Sequence, residues 1–199
     1  MSTGPDFEAA KQFVFSELEK LDKSLLYHGR HHTFEDVLPT SIRLCKEENL
    51  DEDQTLIVKT AALFHDVGFL DYYEKNEPKG VERAKVALPK FGYNSEQIEK
   101  VAECIMATQL PQSPGDNILA RIVCDSDLSH VGTNLFFIKS EYLRLELCLI
   151  KNIDVSPRKW TEGNLKFLND HKYFTDSAKR VLQPQKEKNY QLSKELLGL

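Results

Sequence analysis

The run from Asp53 to Asp66, DQTLIVKTAALFHD, constrains this chain more than any other stretch. Leu56, Ile57, Val58, Ala61, Ala62, Leu63 and Phe64 leave a helix almost no polar side, so it must lie at the centre of the fold. It closes with His65 and Asp66, and Gly68 follows. A carboxylate in that place loses hydration and faces the carbonyls at the negative end of the helix. The nearest basic residue in sequence, Lys59, is about two turns back. A divalent cation is the stronger compensation, because it takes carboxylate oxygen and neutral imidazole together.

Adjacent helical side chains diverge by about 100°. His65 and Asp66 therefore share one ion only where the helix ends and the backbone bends, and Gly68 permits a bend there. Two ligands are too few. Residues 27–33, YHGRHHT, hold three of the six histidines, and one of His31 and His32 is expected to join. The fourth ligand should be an acid in the apolar stretch 117–131, NILARIVCDSDLSHV. A helical wheel puts Asp127 with Ala120, Val123, Cys124 and Val131, while Asp125 falls nearer Arg121. Asp127 is thus the better ligand, and Asp125 a supporting or exposed acid. His130 reads as a core residue or one behind the ligands, and His171 as structural.

The remaining periodicity is helical. A stripe from Phe7 to Leu21 marks residues 6–21, and Thr33, with Asp36 three positions on, predicts the cap of a helix that tolerates Pro39 near its start. Further helices fit residues 80–90, 95–108, 117–131, 134–149, 158–171 and 186–197, with Gly or Pro in the breaks. No run alternates like a strand. The expectation is an all-α chain of one domain: an N-terminal helix (1–26) packed on the core, a core with the metal site (27–132), and C-terminal helices (133–199) completing it. The stripe FFIKSEYLRLELCLI (136–150) suits either core or a homodimer face.

A net charge of −5 argues against a polymeric nucleic acid as partner. No window is apolar enough for a membrane span, and MSTGPDFEAAKQ lacks the basic start and apolar stretch of a secretory signal, so no membrane partner and a cytoplasmic location are expected. The four cysteines form no CxxC, which suggests neither a disulfide framework nor a thiolate zinc site.

Taken together, His32, His65-Asp66 and Asp127 resemble the H…HD…D signature of the HD-domain superfamily of metal-dependent phosphohydrolases. Tyr27-His28-x-x-x-His32-Thr33 looks like the YHxxxH opening of many members, cyclic-nucleotide phosphodiesterases among them. Ala62-Leu63-Phe64-His65-Asp66-Val67-Gly68 is close to ALxHDIG, and Cys124-Asp125-Ser126-Asp127-Leu128 resembles (D)xADxL, whose second acid is the ligand. The resemblance implies a single-domain helical HD-domain, phosphodiesterase-like fold. It implies one divalent metal ion (Mn, Fe, Co, Ni, Zn or Mg) held by His32, His65, Asp66 and Asp127, with His28 donating a proton to the leaving oxygen. Members with two metals usually add histidines between the HD pair and the last aspartate. Residues 67–126 contain none, with Asn76-Glu77 and Ala107-Thr108-Gln109 in their place, so one ion is expected. The HHExxDGxGYP hallmark of cyclic-di-nucleotide phosphodiesterases is absent. The stretch from Trp160 to Thr175 looks like the tail of small stand-alone HD proteins.

The activity this implies is hydrolysis of a phosphate ester, in a nucleotide or another small phosphorylated metabolite. Asp66 or Asp127 would accept the proton of a metal-activated water, and Arg30 would reach a phosphate oxygen, with Lys79 and Arg83 as weaker candidates. Tyr72 and Tyr73 read as packing residues. The alternative is a non-catalytic ligand-sensing or scaffold protein whose metal site is structural.

Overall fold

The computed structural model describes residues 4–199; residues 1–3 of the N-terminal stretch lie outside the described residues. The described chain is helical, with no strand. Its helices are α1 (Phe7–Leu18), α2 (Leu38–Glu47), α3 (Glu52–Phe64), α4 (Asn76–Ala87), α5 (Ser95–Ala107), α6 (Ile118–Asp127), α7 (Phe136–Lys151), α8 (Pro157–Asp170) and α9 (Asp176–Leu197).

Helix α3 is the central one, packed against α1, α2, α5 and α6. Asp51 caps it, accepting from the Gln54 N–H at 2.7 Å, while the Gln54 side chain accepts from the Asp51 N–H at 3.2 Å. Val58, Ala61, Ala62, Leu63 and Phe64 are fully buried. Each large side chain there contributes about 1.5–3 kcal/mol by leaving water, which holds the end of α3, and so His65 and Asp66, rigidly in the core. A smaller cluster of Val131, Phe136 and Leu168 joins the start of α7 to α8. Helix α9 closes the chain against α8, the turn Ser129–Gly132 and α2.

Several expectations are corrected. Thr33 does not cap a helix. The backbone is already helical at His31 (φ −61°, ψ −37°), and Thr33 lies fully buried inside a wide π-helical turn, His32–Val37, that runs into α2. Gly68 does not provide the bend after α3. The chain leaves the helix at Asp66 (φ −102°, ψ 1°), and Gly68 serves a close approach, since a Cβ there would sit 1.8 Å from the Asn76 carbonyl oxygen. Helix α4 begins at Asn76 rather than residue 80, because Pro78 falls in its first turn, where no N–H is needed. Glycine at position 80 lets α4 pass close to the end of α3, since a Cβ there would lie 3.0 Å from the Phe64 carbonyl oxygen. The stretch 117–131 is not one helix: α6 stops at Asp127, and Ser129–Gly132 is a tight turn. Helix α9 starts at Asp176, ten residues before the expected start at 186, with Thr175 as its cap and Pro184 inside it.

The stripe in α7 divides. Phe136 is buried, whereas Ile138, Tyr142, Leu145 and Leu149 are exposed on another face.

Candidate metal centre

Three helix ends converge on one point. His32 opens the π-helical turn, His65 and Asp66 stand where α3 ends, and Asp127 is the last residue of α6. His32 Nε2 lies 3.2 Å from Asp127 Oδ1 and 3.8 Å from Asp66 Oδ2; His65 Nε2 lies 3.2 Å from Asp66 Oδ2 and 3.7 Å from Asp127 Oδ1. The divergence expected of adjacent residues is removed because His65 is still helical while Asp66 has left the helix.

His65 Nδ1 lies 2.9 Å from the Ala62 carbonyl, to which only an N–H can bond, so Nε2 presents its lone pair to the cluster. Gln112 Nε2 donates to Asp127 Oδ2 at 3.1 Å, leaving Oδ1 for the shared point. Behind His32, Nδ1 lies 3.6 Å from Asp36, which Lys139 grips at 2.6 Å. His31 does not join the cluster.

Burial opposes charge on His32, yet the hydrogen bond to Asp127, the nearby Asp36 and the charges of Asp66 and Asp127 outweigh it and push the imidazole up to about 10. His65 is raised against burial in the same way, chiefly by the charge of Asp66, whose Oδ2 lies 3.2 Å from Nε2. Burial alone would raise Asp66, but His65, His28 and His32 hold it well below the usual carboxylate range. Two acids in a nearly dry pocket thus demand positive charge. Two buried atoms aimed at it, His65 Nε2 and Asp66 Oδ2, have no hydrogen-bond partner. Leaving each unmet costs about 1–3 kcal/mol. One divalent cation would meet both with a nitrogen–oxygen donor set that suits it, and His32, His65 and Asp66 have donor atoms close enough to hold one.

His28 stands beside this cluster, its ring 4.3 Å from that of Phe69. Its partner was not anticipated from the sequence: Glu146, in α7, has no exposed side-chain surface and lies 2.5 Å from His28 Nδ1. Glu146 also accepts from the backbone N–H groups of Tyr27 (2.7 Å) and His28 (3.0 Å) and from the Tyr73 hydroxyl (2.9 Å). Burial works against this carboxylate, but the bonds from His28 and Tyr27 keep it below its ordinary range. The available signal was an acid inside an apolar run, the same signal that singled out Asp66.

The other candidates lie elsewhere. Arg30 is exposed, its guanidinium resting 4.2 Å above the Phe15 ring. Lys79 pairs with Glu82, and Arg83 with Asp71 and Glu17. Asp125 is buried, not exposed; it accepts from the Phe174 and Thr175 N–H groups and the Thr175 hydroxyl at 2.7–2.8 Å, tying the start of α9 to α6. His130 is buried with Nδ1 2.8 Å from the Tyr27 hydroxyl, and burial pushes it down to about 3. His171 ends α8, its ring 5.6 Å from that of Phe167 and 4.6 Å from that of Tyr173. Glu77 keeps a buried carboxylate oxygen without a partner, and burial, with the charges of Asp66 and Asp127, pushes its carboxyl up.

No family model and no curated protein matches the chain in sequence. Solved structures match over nearly its whole length. A predicted HD superfamily hydrolase from an uncultured Thermotogales bacterium has 16% identity and a TM-score of 0.65, over 100% of this chain and 95% of that one. Bacillus subtilis YpgQ in complex with ADP has 19% identity and a TM-score of 0.67, over 95% and 92%. A Lactobacillus plantarum protein has 16% identity and a TM-score of 0.69, over 98% and 97%. The chain therefore shares the all-α fold of these structures, the first of which is described as a predicted HD superfamily hydrolase, in line with the fold that the H…HD…D pattern implied. Beside that fold, His32, His65 and Asp66 bring donor atoms together that could hold a metal ion.

Proposed function

We propose that the chain hydrolyses phosphate esters with the help of one divalent ion held by His32, His65, Asp66 and Asp127. The observation that carries this is the convergence of donor atoms from His32, His65 and Asp66, two of them buried and otherwise unbonded, with Asp127 Oδ1 3.2 and 3.7 Å from the two imidazoles. When bound, such an ion supplies Lewis acidity, polarising a phosphoryl group and making water more acidic. The side chains divide the remaining work. Asp66 or Asp127 takes the proton of the attacking water as its oxygen bonds to phosphorus. The bond from phosphorus to the leaving oxygen breaks, and His28 protonates that oxygen. With Nδ1 held by Glu146, Nε2 of His28 is the nitrogen free to deliver the proton.

The neighbour described as a hydrolase and YpgQ with its bound ADP support a small phosphorylated substrate, such as a nucleotide. Among the described residues no helix is long and apolar enough to cross a membrane. A site closed by four protein ligands would be structural. The catalytic reading is favoured by His28, which stands beside the ligands with a fixed ring and a cavity in front of it.

The test is phosphate release from a panel of esters, with and without chelator, for the wild type and His28→Ala. Activity lost on chelation and in the variant, with helical circular dichroism intact, is the expected result. A chelator that merely unfolds a protein inactive on every ester supports the structural reading instead.

A further inference from the structure

A cavity of about 410 Å³ opens beside the metal cluster, within the range of small-molecule sites. His28 and Asp127 form its inner end. Phe136, Ser140, Leu143 and Leu147 line it from one face of α7, and Trp160, Gly163, Asn164 and Phe167 from one face of α8. The spacing on both helices is three or four residues, so each lends the cavity a continuous stripe. Among the described residues no lysine or arginine lines it, and its one carboxylate is Asp127. The Ser140 hydroxyl accepts from Trp160 Nε1 at 2.8 Å and Asn164 Nδ2 at 2.6 Å, which fixes the α8 wall against α7.

His28 gives the cavity a direction. In the mechanism proposed above, on which this inference rests, the leaving oxygen lies at His28, so the group attached to it extends into the space that His28 lines. A pyrophosphate or polyphosphate leaving group would carry two or more negative charges along the α7 and α8 walls, which offer it no lysine or arginine. An uncharged organic group would instead bury apolar and aromatic surface there. We propose that the substrate is a phosphomonoester of an uncharged, largely apolar alcohol, and that the α7–α8 cavity holds the alcohol portion while excluding phosphoanhydride chains.

Gly163 offers a test that spares the fold. A Cβ there meets nothing within 4 Å, and a helix favours leucine over glycine. Trp160, the chain's single tryptophan, reports occupancy of the cavity by its fluorescence. 2-Phenylethanol titrated into metal-free protein should change that emission saturably, with millimolar affinity, and at least tenfold more weakly in Gly163→Leu. In Mn²⁺-loaded protein, kcat/KM for phenethyl phosphate should exceed that for glycerol phosphate and for inorganic tripolyphosphate at least tenfold, and should fall at least tenfold in Gly163→Leu. Saturable binding of the alcohol with no hydrolysis of any ester supports the cavity's preference while removing the hydrolase reading. The proposal is overturned if the alcohol leaves Trp160 unchanged in folded protein, or if tripolyphosphate is cleaved as well as phenethyl phosphate.

Discussion

Replacing Glu146 by glutamine tests whether this acid holds the catalytic segment in place. Its Oε2 accepts from the backbone N–H groups of Tyr27 and His28, and an amide oxygen can keep both bonds. Its Oε1 meets His28 Nδ1 and the Tyr73 hydroxyl, and there the amide would present N–H groups to two donors. Hydrogen bonds to a charged group contribute about 1.5–3 kcal/mol each, and partial rearrangement leaves a net loss of about 2–4 kcal/mol. At roughly 2–4 °C per kcal/mol for a chain of this size, calorimetry at pH 7 should show Tm lowered by about 5–15 °C. The Glu146 carboxyl sits below its ordinary value of 4.5, so its contribution is present above that pH and is lost as pH falls through the lower folded-state value. The gap between wild type and variant should therefore close in acid. Turnover should fall about tenfold or more with little change in KM, because the variant leaves the ring in place but no longer fixes the proton on Nδ1. A variant that melts with wild type at pH 7, or a gap that persists unchanged in acid, would refute the reasoning.

Asp125 and Asp127 should separate cleanly. Asp125→Asn loses charge-assisted bonds to the 174–175 segment and should cost about 1–3 kcal/mol in denaturant titration while keeping metal binding, whereas Asp127→Asn should weaken metal binding. Gly68→Ala forces a Cβ against the Asn76 carbonyl and should destabilise by about 1–3 kcal/mol or more; unchanged stability would show that α4 does not approach so closely. Burial holds His130 down at about 3, so its stabilising contribution is complete above pH 6.5 and is lost as pH falls toward 3. Relative to His130→Gln, the wild type should lose up to about 1.4 kcal/mol per pH unit in that window, measured by urea unfolding; parallel curves would contradict it.

The sequence carried the ligand pattern because an acid in a buried helix needs a reason, and Asp66 had no nearby cation. It carried the all-α class through periodicity. It hid what depends on where helices stop. The wheel treated 117–131 as continuous and so aligned Asp127 with Val131, which lies beyond the end of α6; Asp125 it placed toward the polar side, and the sequence did not reveal that the start of α9 covers that side and bonds to it. The starts expected at 80 and 186 fell just after Pro78 and Pro184, yet both prolines are accommodated inside helices. Glu146 was hidden because its partners, Tyr27, His28 and Tyr73, are more than 70 residues away in sequence.

The central claim is that a divalent cation joins His32, His65, Asp66 and Asp127. Titration of chelator-stripped protein with Mn²⁺, followed by electron paramagnetic resonance of the free ion, tests it most directly. The expected result is one ion bound per chain by the wild type, with affinity at least a hundredfold lower in a folded Asp66→Asn variant. No binding up to millimolar Mn²⁺, or equal binding by the two proteins, would contradict the claim.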